Sequence, residues 1–152
     1  MKYFGFNGTS VKDLVKWLES KFSGTESKFA DFQIPDIENA WMFENEDISI
    51  SIMINTSEPR YEYIHFSTVI CEIPNDNILP FYRKCLEINK NLIGSVITLD
   101  DSKVRFDQLQ FIKFISKKHL DQMFEIQIKL SANVLDDLAN EFEIIHPFYT
   151  KC

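Results

Sequence analysis

Glycine and proline are scarce in this sequence, at 4 and 5 of 152 residues. So few chain-breaking positions argue against long flexible linkers, and residues 1–152 are expected to form one domain. Cysteine is sparse as well. Cys71, Cys85 and Cys152 are odd in number, widely spaced and without a C-x-x-C pair, which is not a disulfide framework. Free thiols suit a reducing cytoplasm, the expected compartment. Positive charge is in deficit: 16 Lys and Arg against 23 Asp and Glu leave a net charge of −7, with a pI of about 4.9. Such a chain is repelled by phosphate backbones and anionic lipid, so neither nucleic acid nor membrane is an expected partner. No apolar run reaches the roughly 18 residues of a membrane span. The opening MKYFGFNGTSVKDL lacks the continuous apolar stretch of a signal peptide.

The signatures of chemistry are missing too. There is no H-E-x-x-H, no Gly-rich phosphate loop and no G-x-S-x-G elbow. No catalytic residue, metal ligand or cofactor is expected, and the chain is not expected to be an enzyme. His65 and Cys71, six apart in one expected strand, would share a face, where Cys85 or His119 could join them. Without a ligand spacing they read as a satisfied histidine and inert buried thiols. Asp100-Asp101 reads as a solvated hairpin turn. Tyr61, Tyr63 and Phe66 lack an RNA-binding signature and the positive charge that goes with it, so they read as core packing or protein contact.

What the chain does have is core material. Hydrophobic residues make up 45% and aromatics 14%, with 14 Phe. A domain of this length buries roughly 70% of the surface its unfolded chain exposes, so it needs no staple to fold.

Periodicity places the elements. Ser10 caps a first helix, with Asp13 at the answering position of the box and Val11, Leu14, Val15, Leu18 and Phe22 in one stripe; Trp17 falls just off it. Residues 28–40 read as an irregular connection before a strand at Ala40–Glu44. ISISIMIN (48–55) alternates strictly, the pattern of a half-buried strand. Residues 61–73 form a long third strand whose imperfect alternation suits a bulge or cover on both faces. Pro74-Asn75-Asp76-Asn77 leads into a helix at about 77–91. Strands at 95–99 and 104–115 flank a hairpin turn, with a bulge expected near Gln108 where the apolar side changes. Ser116 caps a last helix over 117–143, about 40 Å long. The expected class is α+β, in the order α-β-β-β-α-β-β-α, with five antiparallel strands packed by helices.

The middle helix has two oddities. Its apolar residues, among them Ile78, Leu79, Phe81, Tyr82, Cys85, Leu86 and Ile88, cover about half its circumference, more than one sheet contact needs. Asn89 lies inside that arc, between Ile78 and Tyr82. A buried unpaired amide costs about 1–3 kcal/mol. Asn89 is therefore expected to bond nearby backbone and pin the helix exit to the hairpin.

The element order, the acidity, the small size and the run Leu86-Glu87-Ile88-Asn89, Gly94 and VITLDDSKVRF resemble the type III secretion chaperone-like fold. That grouping holds class I secretion chaperones and YbjN-type regulators. The resemblance covers roughly residues 8–143 in element order. It implies a non-enzymatic module, chaperone-like or regulatory, that binds a partner polypeptide laid across its strands and helices. It also implies a homodimer through the middle helix, with Phe81, Tyr82 and Ile88 as contacts. Trp17, off its stripe, and Trp41 and Phe43, beside an acidic run, are the candidate partner contacts. Two other readings stand beside this one. The acidic residues Asp36, Glu38, Glu44, Glu46 and Asp47 could serve an immunity or inhibitor protein that neutralises a basic toxin or enzyme. A small-molecule sensor would need a polar-lined pocket.

Overall fold

The computed structural model describes residues 9–22, 28–45 and 48–144. Its elements are α1 (Val11–Phe22), β1 (Ala40–Asn45), β2 (Ile48–Asn55), β3 (Tyr63–Glu72), α2 (Ile78–Asn89), β4 (Val96–Asp100), β5 (Lys103–Phe111) and α3 (Lys117–Ala139). The expected α+β order holds. The five strands form one antiparallel sheet in the order β1-β2-β3-β5-β4.

Local chemistry explains the ends of the elements. At α1, Ser10 Oγ accepts from Asp13 N–H and Asp13 Oδ2 accepts from Ser10 N–H, each at 3.2 Å. This reciprocal pair satisfies donors that the first helical turn leaves free. At α3, Ser116 Oγ accepts from His119 N–H. The hairpin between β4 and β5 turns at Asp101, which takes the left-handed backbone that Asp tolerates better than most residues.

Three details depart from the pattern in the sequence. The irregular connection contains a 3-10 turn at Phe29–Phe32. A second 3-10 turn, Ile112–Phe114, takes the last part of the expected fifth strand, and α3 stops at Ala139, about 35 Å from its start. The bulge expected near Gln108 is absent, while the one allowed for in the third strand is present: the β3–β5 register shifts between Val69 and Cys71. In β5 the alternation simply continues, and Gln108 faces the core. Its amide donates to Gln127 Oε1 at 2.7 Å and to Met123 O at 2.9 Å. Gln127 in turn donates to Thr68 Oγ1 and Phe106 O. A buried polar residue survives there because its partners are buried with it.

All three helices pack on one face of the sheet. Leu14, Trp17 and Leu18 of α1 pack with Ile50, Ile52, Ile54, Ile64 and Phe66. Phe81 and Cys85 of α2 pack with Ile70, Cys71, Ile97, Val104 and Phe106. α3 spans both clusters, with Leu120 and Met123 in the first and Val134 and Leu138 in the second. Among the described residues no helix packs on the opposite face of the sheet, which carries Met42, Ser51, Met53, His65, Ser67, Asp107, Leu109 and Val96.

Candidate functional site

The apolar half of α2 divides in two. Phe81 and Cys85 are buried against the sheet and α3, and Ile88 and Tyr82 are half-buried beside them. The rest of the arc points to water: Leu79 is 80% exposed and Leu86 68%, with Ile78 also exposed. Ile93, just past the helix, is 93% exposed. On a helical wheel Ile78, Tyr82, Leu86 and Leu79 fall within about 100° of one another, a continuous stripe. Apolar side chains gathered on one solvent face mark a contact surface more often than singly scattered ones do. Leu79 and Leu86 belonged to the apolar arc in the sequence. Periodicity alone does not say which side of so wide an arc the sheet will cover.

Asn89 sits at the middle of that arc and has partners. Its Nδ2 donates to Ile97 O at 3.1 Å, and its Oδ1 accepts from Ile97 N–H at 2.6 Å. The amide thus pins the end of α2 to β4, as expected from its place in the sequence.

On the helix-free face the polar centre is Asp107, which is largely buried. Its Oδ1 lies 3.1 Å from His65 Nε2, and Thr98 Oγ1 and Ser67 also bond it. Burial pushes its carboxyl up, but the bonds from His65, Ser67 and Thr98 outweigh this and hold it below its usual range. Arg105, two residues earlier on the same face, pairs with Asp100 at 2.8 Å. No hydroxyl or thiol stands at the other ring nitrogen of His65 as a nucleophile would, among the contacts of the described residues.

Other candidates are placed as follows. Trp17, Trp41 and Phe43 lie in the core with 4%, 5% and 4% exposure. Trp17 donates to Asp121 and meets Phe66 and Phe124 edge-on, Trp41 stacks near Phe29, and Phe43 stacks on Phe22. A partner could reach these rings only by opening the layer between α1 and β1. His65 and Cys71 do not share a face. The bulge adds one residue between them, so Cys71 turns to the core opposite Val104 while His65 stays on the outer face. Burial raises the Cys71 and Cys85 thiols to about 12 and about 11, which leaves them inert at neutral pH. No His, Cys, Asp and Glu cluster able to hold a metal occurs among the described residues. Asp36, Glu38 and Glu44 are exposed, while Glu46 and Asp47 lie outside the described residues, as does Cys152. No helix among the described residues is long and apolar enough to cross a membrane.

No family model and no curated protein matches the sequence. Solved structures do match in shape. YbjN from E. coli superposes with a TM-score of 0.59 at 14% identity, over 91% of this chain and 96% of that one. A chain of the ExsC–ExsE complex gives 0.58 at 8% identity, over 84% and 95%. A chain of the heterodimeric ExoU–SpcU complex from the type III secretion system of Pseudomonas aeruginosa gives 0.58 at 9% identity, over 82% and 97%. At such low identity these likenesses are likenesses of fold, and the fold they share is that of the type III secretion chaperone-like proteins.

Proposed function

We propose that this chain is a non-enzymatic protein-binding module, one domain acting in the cytoplasm, that engages a partner polypeptide and pairs with a second copy of itself. The observation that carries this reading is the uncovered apolar stripe of α2. Leu79, Leu86 and Ile78 cost free energy in water that only another apolar surface recovers, at roughly 25 cal/mol per Å². Tyr82 and Ile88, half-buried at the margins of the stripe, extend it, while Phe81 supports it from beneath. The likeness in fold to chains solved in complexes, ExsC–ExsE and the heterodimeric ExoU–SpcU, supports a protein partner. The buried, unreactive thiols fit a reducing compartment.

The test separates self-association from partner binding. Light scattering on the purified chain at micromolar concentration should give twice the monomer mass, and Leu79→Asp with Leu86→Asp should return it to the monomer. Affinity capture with each form should retain one dominant polypeptide. A monomeric wild type removes the dimer, and an empty capture removes the partner.

A further inference from the structure

Gln108 is only 4% exposed, yet its side chain has an acceptor left over. Phe106 O and Met123 O can only accept hydrogen bonds. Phe106 O takes Gln127 Nε2, which leaves Gln127 Oε1 facing Gln108. Gln127 Oε1 and Met123 O both need a donor, so both take Gln108 Nε2, at 2.7 and 2.9 Å. The network thereby fixes which end of the Gln108 amide is which. Both of its hydrogens are used inside the protein, and its Oε1 accepts from no described residue. Nor is that oxygen sealed away: the sealed, unpartnered side-chain atoms among the described residues are Ser95 Oγ and Arg105 Nε.

The oxygen opens on a groove of about 520 Å³, formed where β5 passes the first half of α3 and the turn at Gly94. That is the size of a pocket for a small organic molecule. Ile93, Leu109 and Ile126 are exposed at its rim, with Met123 buried behind them. Glu125 stands on the wall without an ion pair among the described residues. No Lys or Arg lines the groove; His119 is the one lining residue that can carry positive charge.

An unpaired acceptor below apolar walls selects a ligand with a donor at one end and an apolar body. The carboxylate of Glu125, on a chain of net charge −7, favours a cationic donor. A primary ammonium group has three donors and no acceptor, so it suits both the neutral oxygen and the carboxylate. We propose that this groove binds a free primary amine with an apolar body, an alkyl- or arylalkylammonium, with an N–H on Gln108 Oε1 and its charge beside Glu125. The floor offers one acceptor rather than a row of them, so it takes one head group and not a length of chain. The site stands apart from partner binding, and the failure of either reading leaves the other standing.

Titration of the full chain with 2-phenylethylamine, followed by heteronuclear NMR, tests it. Saturable shifts of the Gln108 side-chain amide and of the Ile93 and Ile126 methyls are expected, with a Kd of about 1 mM or below. The N,N,N-trimethyl form keeps the charge but has no N–H to give, and should bind about tenfold more weakly. 2-Phenylethanol lacks the charge and should also bind more weakly than the amine, while 3-phenylpropionate should not bind. Glu125→Gln, a surface change, should weaken the amine about twofold to fivefold and leave 2-phenylethanol unaffected. No saturable shift, shifts that miss the groove, a trimethyl form or a carboxylate bound as tightly as the amine, or an amine indifferent to Glu125→Gln would each overturn the proposal. Nα-acetyl-lysine amide bound more tightly than the free amine would assign the groove to a polypeptide side chain and overturn it too.

Discussion

Asn89 and Ile97 are joined by two hydrogen bonds, one at each end of the side-chain amide, to the C=O and the N–H of one residue of β4. A primary amide presents a donor and an acceptor side by side, the same pair a neighbouring strand would offer. Asn89 thereby occupies the outer edge of β4 at Ile97 and ties the end of α2 to the sheet. An edge so occupied is closed to further pairing at that point.

Replacing Asn89 by Ala should lower stability by about 1–3 kcal/mol, since both Ile97 groups lose their partner in a partly buried place. For a chain of this size each kcal/mol corresponds to about 2–4 °C in melting temperature. Thermal unfolding followed by circular dichroism reads this directly. An unchanged melting temperature would mean that water replaces the amide at no cost.

The Gln108–Gln127 pair makes a double-mutant prediction. Gln127→Leu alone removes one partner each from Gln108, Thr68 and Phe106 O, and should cost about 1–3 kcal/mol. Gln108→Leu combined with Gln127→Leu should cost less than the sum of the two single changes, because the second replacement removes a group that has already lost a partner. Strict additivity in denaturant unfolding would show that the two amides act independently.

Asp107 sets a pH dependence. Its folded carboxyl lies below the ordinary value, so the stability it contributes is complete above about pH 4 and is lost as pH falls through the lowered folded value. Asp107→Asn should reduce stability at neutral pH and flatten the decline in the acid range. Asp13, lowered by Ser10, and Asp121, lowered by Lys21 and Trp17, fall in the same direction and leave a residual slope. Urea unfolding from neutral pH downward checks the sign. A variant as steep as the wild type would place the acid sensitivity elsewhere.

The burial of Trp17 and Trp41 predicts blue-shifted emission and weak quenching by iodide in the free chain. Strong quenching of either would mean that the layer between α1 and β1 opens in solution.

Where one physical rule acts alone, sequence and structure agree. The strict alternation of ISISIMIN placed β2, the Ser10–Asp13 spacing placed the start of α1, and an amide inside an apolar arc pointed to a backbone partner for Asn89. Where a distant partner decides, the sequence is silent. Gln108 looked like a break in alternation because its partner, Gln127, is 19 residues away on α3. The imperfect alternation of residues 61–73 suited a bulge, but nothing in it marked the place between Val69 and Cys71 where the parity of Cys71 inverts. Trp17 fell off a narrow stripe yet is buried, because α1 meets Phe124 of α3 as well as the sheet. The exposed side of α2 was visible only as an excess of apolar residues. Its direction depends on where β4, held by Asn89, brings the sheet.

The most direct test of the protein-binding reading is affinity capture from an extract of the cells that produce this chain, at low and high salt, with wild type and with Leu79→Asp/Leu86→Asp. One dominant polypeptide in simple stoichiometry is expected, retained at high salt as apolar contact requires and captured by the wild type and the double variant alike. No stoichiometric polypeptide at either salt, together with a melting temperature raised by a small molecule, would contradict it.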